Sequence, residues 1–417
     1  QADAVVTGHQ PAIFCGPLYT VYKAITALQL AERFHRETGE SCTPIFWNAA
    51  EDHDFDEARR ATLLTKTGQP LRLEYTPAAH HPGMPMDRVP VEAQLYAFVN
   101  EAAARCAGSE HRDAVHAALR ETLDEAESLA DWSVRCLARL FADTPLQFFT
   151  PTLPAARRVA ATVLAREIEA PLESTRRANA AGERLVTLGY TSQVQKAPDE
   201  CSFFLLVDGR RCKVRFGGSA FHLPEVRQHL SPAEMRALLD SAPERFSPNV
   251  ILRCVVQQHL FPTVAYVAGP GEVAYWAQLR EVFTFFETPM PVVYPRAHAL
   301  LTTTKWRTWR NELALGDADL TRHAEQLVEP VLRALPEPPG LVAFRERRAQ
   351  AADALDALFE HVRAADAHAG QAVDAGERRT RDALARLERR LLYADKAKRR
   401  AIYERIERLQ AALEIGR

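Results

Sequence analysis

Nowhere in these 417 residues is there an apolar run of the ~18–20 residues that a membrane span requires. Charge of one sign is not in surplus either. The 52 Lys and Arg stand against 54 Asp and Glu, a net of -2, which argues against a dedicated nucleic-acid binder. The seven cysteines form no C-x-x-C pair, so nothing points to a structural zinc site, and a chain this long needs no disulfide staples. Cys15 stands out only because it falls in a loop of interest; a small core thiol is the expected reading. The opening QADAVVTGHQ lacks the basic stretch and apolar core of a secretion signal. It also lacks an initiator methionine, so we expect the natural N-terminus to lie upstream. With 47% hydrophobic and 25% charged residues, the composition is that of a cytoplasmic enzyme or scaffold built from about two to three structural units.

Short β-type runs alternate with helical periods. Ala4–Thr7 reads as a buried strand, followed by a Gly- and Pro-containing loop and an apolar period at Leu18, Val21, Tyr22, Ile25 and Leu28. Pro17 suits the first helical turn. Pro44–Trp47 reads as a second strand; strand, loop, helix, strand is the parallel-sheet unit. Similar strands are expected at 146–149, 263–267 and 291–294. Together they give an α/β fold, a doubly wound parallel sheet of five strands. Residues 1–87, 143–182 and 224–315 are assigned to this core. A helical insertion is expected over 88–142, and a second insertion over 183–223 carries a hairpin signal, with Asp208-Gly209 between two alternating runs. From 316 to 417 the chain reads as an α-helical coiled coil. Its Leu and Ile stripe from Leu355 to Leu413 is expected on two long antiparallel helices divided near Gly370 and Gly376.

Ligands of open parallel sheets sit beyond the carboxyl ends of the strands, so the loops there are read first. After strand one, Thr7, Gly8, His9 and Gln10 precede a helix on which Tyr19 and Lys23 share a face; the loop can approach an anion and Lys23 can add positive charge. After strand two, Glu51, Asp52, His53, Asp54, Asp56 and Glu57 can hold a metal ion, orient an amine or act as general base. The competing reading makes Asp54 and Glu57 a helix capping box. After strand four, Gly269-Pro270-Gly271-Glu272 opens a helix carrying Tyr275. Upstream, Arg253 and Gln257 are polar positions in an apolar helical pattern, and Arg253 can fork onto a carboxylate or phosphate. Neither a dinucleotide fingerprint nor a P-loop is present, and no G-x-S-x-G supports a serine nucleophile.

Three stretches carry a resemblance: VVTGHQPAIFCGPLYTVYKAITALQLA, PIFWNAAEDHDFDE and SPNVILRCVVQQHLFPTVAYVAGPGEVAYWAQL. Together with GYTSQVQKAPDE and the helical tail they resemble the bacillithiol biosynthesis cysteine-adding enzyme family. The resemblance implies a Rossmann-like core similar to nucleotidyltransferases and class I aminoacyl-tRNA synthetases, connecting-peptide insertions, and a coiled coil used for homodimerisation. It also implies a ligase that adds L-cysteine to glucosaminyl-malate in the last step of bacillithiol synthesis, with ATP and Mg as the expected source of carboxylate activation. Carried over by position, His9 and Gln10 stand in the family's TGQQ-type loop, with His9 where Gln is usual. The acidic motif falls on Glu51 to Asp54 and the glycine turn on Gly269, Gly271 and Glu272, while Cys254 stands where a Pro is often found after Arg253. In this reading His9, Gln10, Asp52, His53 and Asp54 are catalytic. Thr7, Gly8, Tyr19, Lys23, Glu51, Arg253, Gln257, Gly269, Gly271, Glu272 and Tyr275 bind nucleotide or substrate, and Lys305 stands in for a second phosphate contact. No metal-ligand set is assigned. The chain is also expected to be shorter than typical members at both ends. Another adenylating or nucleotidyl-transferring enzyme on the same core, or an inactive coiled-coil interaction protein, is the alternative.

Overall fold

The computed structural model describes residues 3–66, 70–106, 108–299, 304–316, 318–319, 322–334, 339–365, 370–393 and 395–414. The described residues form two compact units, one within 1–299 and one within 300–414. In chain order the first unit contains β1 (Asp3–His9), α1 (Leu18–Thr38), β2 (Cys42–Asn48), the single turn α2 (Phe55–Ala58), the hairpin β3 (Arg60–Leu64) and β4 (Pro70–Glu74), and helices α3 (Ala93–Arg105), α4 (Arg112–Asp124) and α5 (Leu129–Leu140). Then come β5 (Gln147–Phe149), α6 (Pro154–Glu169), α7 (Glu173–Thr187), β6 (Glu200–Val207), β7 (Arg210–Gly217), β8 (Ala220–Leu223), β9 (Gln228–Leu230) and α8 (Pro232–Ser241). It closes with β10 (Phe246–Pro248), α9 (Val250–Leu260), β11 (Thr263–Ala268), α10 (Pro270–Trp276), α11 (Arg280–Phe285) and β12 (Val292–Pro295).

All pairings in the main sheet are parallel, and its order is β12-β11-β1-β2-β5. The chain lays β2 and β5 on one side of β1, then returns to lay β11 and β12 on the other. Strand order therefore reverses at β1, which opens a crevice at the carboxyl ends of β1 and β11. This is the doubly wound, Rossmann-like α/β class expected. Both faces are covered, as an all-parallel sheet requires. Val5, Ala265 and Val267 pack on α1, while Val6, Tyr266 and Ala268 join the large core shared with α6, α9 and the second sheet.

Helix α1 forms where expected but buries a different face. Thr20, Lys23, Ala24, Ala27 and Ala31 are buried, whereas Ile25 is exposed. Small side chains let the helix approach the sheet closely, so alanines take the inner stripe and the bulkier residues flank it. Pro17 caps this helix rather than opening its first turn.

The hairpin at Asp208-Gly209 is β6–β7, with both turn residues at positive φ (48° and 77°), the backbone a two-residue loop demands. It belongs to a larger antiparallel sheet, β10-β6-β7-β8-β9, whose outer strands are too short to announce themselves in sequence. No helix of the described residues is long and apolar enough to cross a membrane.

The second unit holds α12 (Thr304–Glu312), α13 (Ala324–Ala334), α14 (Pro339–Ala365), α15 (Gly370–Tyr393) and α16 (Asp395–Glu414). It already includes α12, ahead of the expected 315/316 boundary, because Leu313 and Leu315 pack with Leu327, Val331, Ile402, Ile406 and Leu409. The stripe from Leu355 onward lies on three long helices, not two. Gly370 opens α15, whereas Gly376 lies inside it and a Cβ there would stand 3.9 Å from the Phe359 ring.

Candidate active site

A cavity of about 710 Å³ opens in the crevice, walled by the loops after β1, β2, β11 and β12 and by the segment around Gln193 to Lys196. Of the residues read from sequence, Gly8, His9, Gln10, Tyr19, Lys23, Glu51, Asp52 and His53 line it from the first half of the chain. Arg253, Gly269, Gly271, Glu272 and Tyr275 line it from the second. Thr7, Asp54 and Gln257 do not. Thr7 is fully buried and donates to the Val267 carbonyl at 2.9 Å, tying β1 to β11. Asp54 is exposed, lies outside the cavity lining and makes no capping bond, so the capping-box reading does not hold for it. Gln257 is buried behind Arg253 and accepts from its Nη1 at 3.5 Å.

The strand-one loop is held close to strand two. A Cβ on Gly8 would lie 2.6 Å from the Trp47 carbonyl oxygen and 2.8 Å from the Trp47 Cβ, so only glycine fits there. Lys23 reaches this point from α1 and donates to the Gly8 carbonyl at 2.8 Å. It also forms an ion pair with Glu272, the two side chains being 3% and 21% exposed. Glu272 further accepts from the Gly269 N–H and the Tyr266 hydroxyl, both at 2.7 Å. Burial works against the carboxylate, yet Lys23 and these donors hold its pKa below the usual range. Lys23 therefore clasps the first and fourth loops together. Its charge is already matched, which corrects its expected role as a free phosphate contact.

His9 projects beside Tyr19, ring centroids 5.1 Å apart and edge to face. Burial first, and Lys23 second, push its pKa down to about 3, so near pH 7 it is a neutral hydrogen-bonding group.

Opposite lies the acidic loop. Glu51 is buried in an ion pair with Arg157 at 2.7 Å, which commits its carboxylate to the fold although it edges the cavity. Asp52 accepts from Gln10 Nε2 at 2.5 Å and from the His53 backbone N–H at 2.7 Å. Despite burial its pKa is held low, chiefly by Arg211 and Gln10. That makes it an anion at neutral pH and a weak base. Glu57 is different. Exposed on its loop, it still lines the cavity, and partial desolvation, then Asp54 and Asp52, push its carboxyl up.

Two arginines on the wall were not anticipated. Arg211, on β7, is buried, donating from Nε to Ser247 Oγ at 2.8 Å and from Nη2 to the Pro248 carbonyl at 2.7 Å. Arg296 follows β12 directly. It lies over the Tyr19 ring at 4.9 Å, and its Nε is buried without a hydrogen-bond partner. Arg253 donates to the Tyr275 hydroxyl at 2.5 Å and lies over the Tyr266 ring. Among the described residues neither Arg253 nor Arg296 has a carboxylate within ion-pair distance, so both can meet an anionic ligand. Gln193 and Lys196 also line the cavity, on a strap that Gln278 anchors through the Gln193 and Val194 N–H groups at 3.0 and 2.9 Å. The Lys305 side chain lies outside the described residues.

Among the described residues no three His, Cys, Asp or Glu side chains converge to hold a metal ion. His80, one of two adjacent histidines in sequence, stacks on Phe55. Cys15 sits in a 3-10 turn at φ 66°, and contact with Cys136, then burial, push its thiol well up.

Residues 1–297 match the N-terminal Rossmann-like domain, and residues 299–414 the C-terminal coiled-coil domain, described for bacillithiol biosynthesis BshC. Three relatives share the name "Putative cysteine ligase BshC". That of Salinibacter ruber is 34% identical over 94% of this chain, that of Natranaerobius thermophilus 29% over 76%, and that of Prosthecochloris aestuarii 35% over 70%. The chain spans 72%, 58% and 52% of those relatives' own lengths.

Proposed function

The chain belongs to the BshC family of bacillithiol biosynthesis, and from that premise we propose that it is a ligase joining L-cysteine to glucosaminyl-malate through an amide bond, the last step of that synthesis. The observation that carries the reading is the convergence of loops far apart in sequence on one cavity. One wall presents acid-unpaired arginines and the other an ionised aspartate. A zwitterionic amino acid and a dicarboxylate acceptor need that division of charge.

Asp52 is assigned to the ammonium of cysteine, since its carboxylate stays ionised and its neighbours fix its position. Arg253 pairs with a malate carboxylate through its planar fork. Amide formation from a free carboxylate needs activation, which ATP would supply by making one carboxyl oxygen a leaving group. The Gly8–Gln10 loop and Arg296 would then face its phosphates. The unpartnered Arg296 Nε supports that assignment. Magnesium, in this reading, travels with the nucleotide's phosphates, its usual mode of binding. As the acceptor's amine attacks the activated carbonyl carbon, the C–N bond forms, the activated C–O bond breaks and the nitrogen loses a proton. Glu57, with its raised pKa, is the carboxylate suited to take that proton.

The reading extends to a cytoplasmic homodimer joined through the coiled coil. Leu358, Val362 and Leu387, at 57%, 40% and 50% exposure on α14 and α15, support a partner for that face. The direct test incubates the full chain with cysteine, glucosaminyl-malate and ATP-Mg, and follows the amide product and the nucleotide by mass spectrometry. Product that requires ATP is expected. No product under any nucleotide condition refutes the reading, and equal product without ATP removes the activation step from it.

A further inference from the structure

His53 lines the cavity beside the proposed reaction centre, and its neighbours determine which of its nitrogens carries a proton. Arg211 Nη1 stands 3.2 Å from His53 Nδ1. A guanidinium only donates hydrogen bonds, so the Nδ1 facing it must be the nitrogen bearing a lone pair. The guanidinium cannot turn away. Its other nitrogens are fixed on Ser247 Oγ and the Pro248 carbonyl, and its Cζ lies 4.0 Å above the Phe204 ring. That same ring meets the imidazole edge to face at 5.3 Å. The charged groups around His53 are Arg211 and Lys213 on β7 and Asp52 and Asp54 on its own loop. Asp52 Oδ1 is 3.8 Å from Nδ1, beyond hydrogen-bond distance, so the acid does not draw the proton to that side.

We propose that Arg211 fixes His53 as the neutral tautomer protonated at Nε2, so that His53 serves the reaction as a hydrogen-bond donor to oxygen and not as its general base. Arg211 is then a positioning residue, acting from the connecting sheet on a loop of the parallel sheet. A neutral imidazole that donates stabilises charge developing on a carbonyl or phosphoryl oxygen without giving up its proton. No proton changes hands at His53, which leaves the amine's proton to another group. The catalytic half of this inference rests on the ligase reading above; the tautomer does not.

The experiment labels the full chain with 15N-histidine, assigns His53 by comparison with His53→Gln, and records long-range 1H–15N correlations between about pH 5 and 8. One protonated Nε2 and one unprotonated Nδ1 near pH 7 are expected, with any imidazolium forming only on the acid side of the ordinary histidine range. An Nδ1–H tautomer, or an imidazolium near pH 7, overturns the proposal and needs no substrate to do so. In Arg211→Met the ring should begin to titrate within that range, whereas Arg211→Lys, which still presents a donor, should keep Nε2 protonated. A ring whose spectrum is unaltered in Arg211→Met removes the positioning role. Because either Arg211 variant can fail to fold, the wild-type spectrum decides first. With amide formation as readout, His53→Ala should lower kcat about 10²–10³-fold, the typical loss of one such donor. His53→Gln keeps an N–H donor and should stay within about tenfold of wild type. Equal loss in both variants refutes the donor role even where the tautomer is as proposed.

Discussion

Lys23→Met tests whether the buried lysine clasps the site or merely adorns it. The ammonium is 3% exposed and pairs with a carboxylate that is 21% exposed. Removing one partner of a buried pair costs about 3–5 kcal/mol, because the other charge is left uncompensated. Glu272 would keep its bonds from Gly269 and Tyr266, which places the loss near the lower figure, about 3 kcal/mol. At about 2 °C per kcal/mol for a unit of this size, Tm falls by about 6 °C. The assay is calorimetry on the full chain, following the transition that also changes the fluorescence of the buried Trp47 and Trp276. Lys23→Met/Glu272→Gln removes both charges and should recover at least half of the loss, since replacing a whole buried pair is far gentler than breaking one. The pH dependence has a definite sign. Burial opposes the Glu272 charge but Lys23 prevails and depresses its folded pKa, so the stabilisation is present at neutral pH and lost as pH falls through that folded value. The gap between wild type and Lys23→Met should therefore close on acidification below about pH 4. A single variant within about 1 °C of wild type, or a double variant less stable than the single, refutes the clasp.

Three shorter predictions concern the groups left uncommitted by the fold. Arg296→Met should raise KM for one anionic substrate about 10–100-fold, the worth of a charge-assisted pair, with melting little changed. Equal KM values for every substrate would take Arg296 out of the site. Glu57→Gln should lower kcat about 10²–10⁴-fold, the usual contribution of a general base. In the wild type the acidic limb of the kcat/KM profile should fall above the ordinary glutamate range, because the raised carboxyl must lose its proton before it can accept one; a limb at the ordinary position argues against it. Cys15, whose thiol is pushed up by Cys136 and by burial, should react with iodoacetamide near pH 7 far more slowly than an exposed cysteine. Mass-spectrometric labelling that finds it among the fast thiols contradicts the buried-thiol reading.

How much of this was legible in the sequence depended on whether a residue's role was set locally. The five strands of the parallel sheet carry continuous apolar runs such as Val-Val and Ile-Phe-Trp, and their loops follow at once, so Gly8, Asp52 and Gly271 could be read in order along the chain. The roles of Lys23 and Glu51 could not. Each looks like an available charge until its partner, 249 residues away for Glu272 and 106 for Arg157 by position, is brought against it by the fold. Arg296 is within reach of the same rule that marks the other loops, since it follows the fifth strand directly. Arg211 gave no such signal. On β7 it is one of two consecutive arginines after a hairpin turn, a pattern that usually means a solvated strand, and only the packing on Phe204 and Ser247 turns it inward.

The charges around the cavity fall into two groups, and the division constrains the ligand. Lys23 with Glu272, Glu51 with Arg157, and Lys196 with Glu200 at 3.0 Å are matched within the protein; they fix the loops and leave little field for a substrate. Asp52 is more than satisfied by Gln10 and the His53 amide, with Arg211 nearby, so it can hold one cation without moving. Arg253 and Arg296 remain cationic without an acid. A ligand set that neutralised this cavity would carry more negative than positive charge, with its one ammonium near Asp52. A dicarboxylate acceptor, a zwitterionic amino acid and a polyphosphate meet that requirement together. A basic or uncharged acceptor would leave the half-buried Arg253 and Arg296 guanidiniums without an anion to pair with. Competition by simple dianions separates the two cases: a small dicarboxylate should inhibit at lower concentration than its monoamide, and Arg253→Met should erase that difference. Inhibition that ignores the second carboxylate would mean that these arginines do not face the ligand.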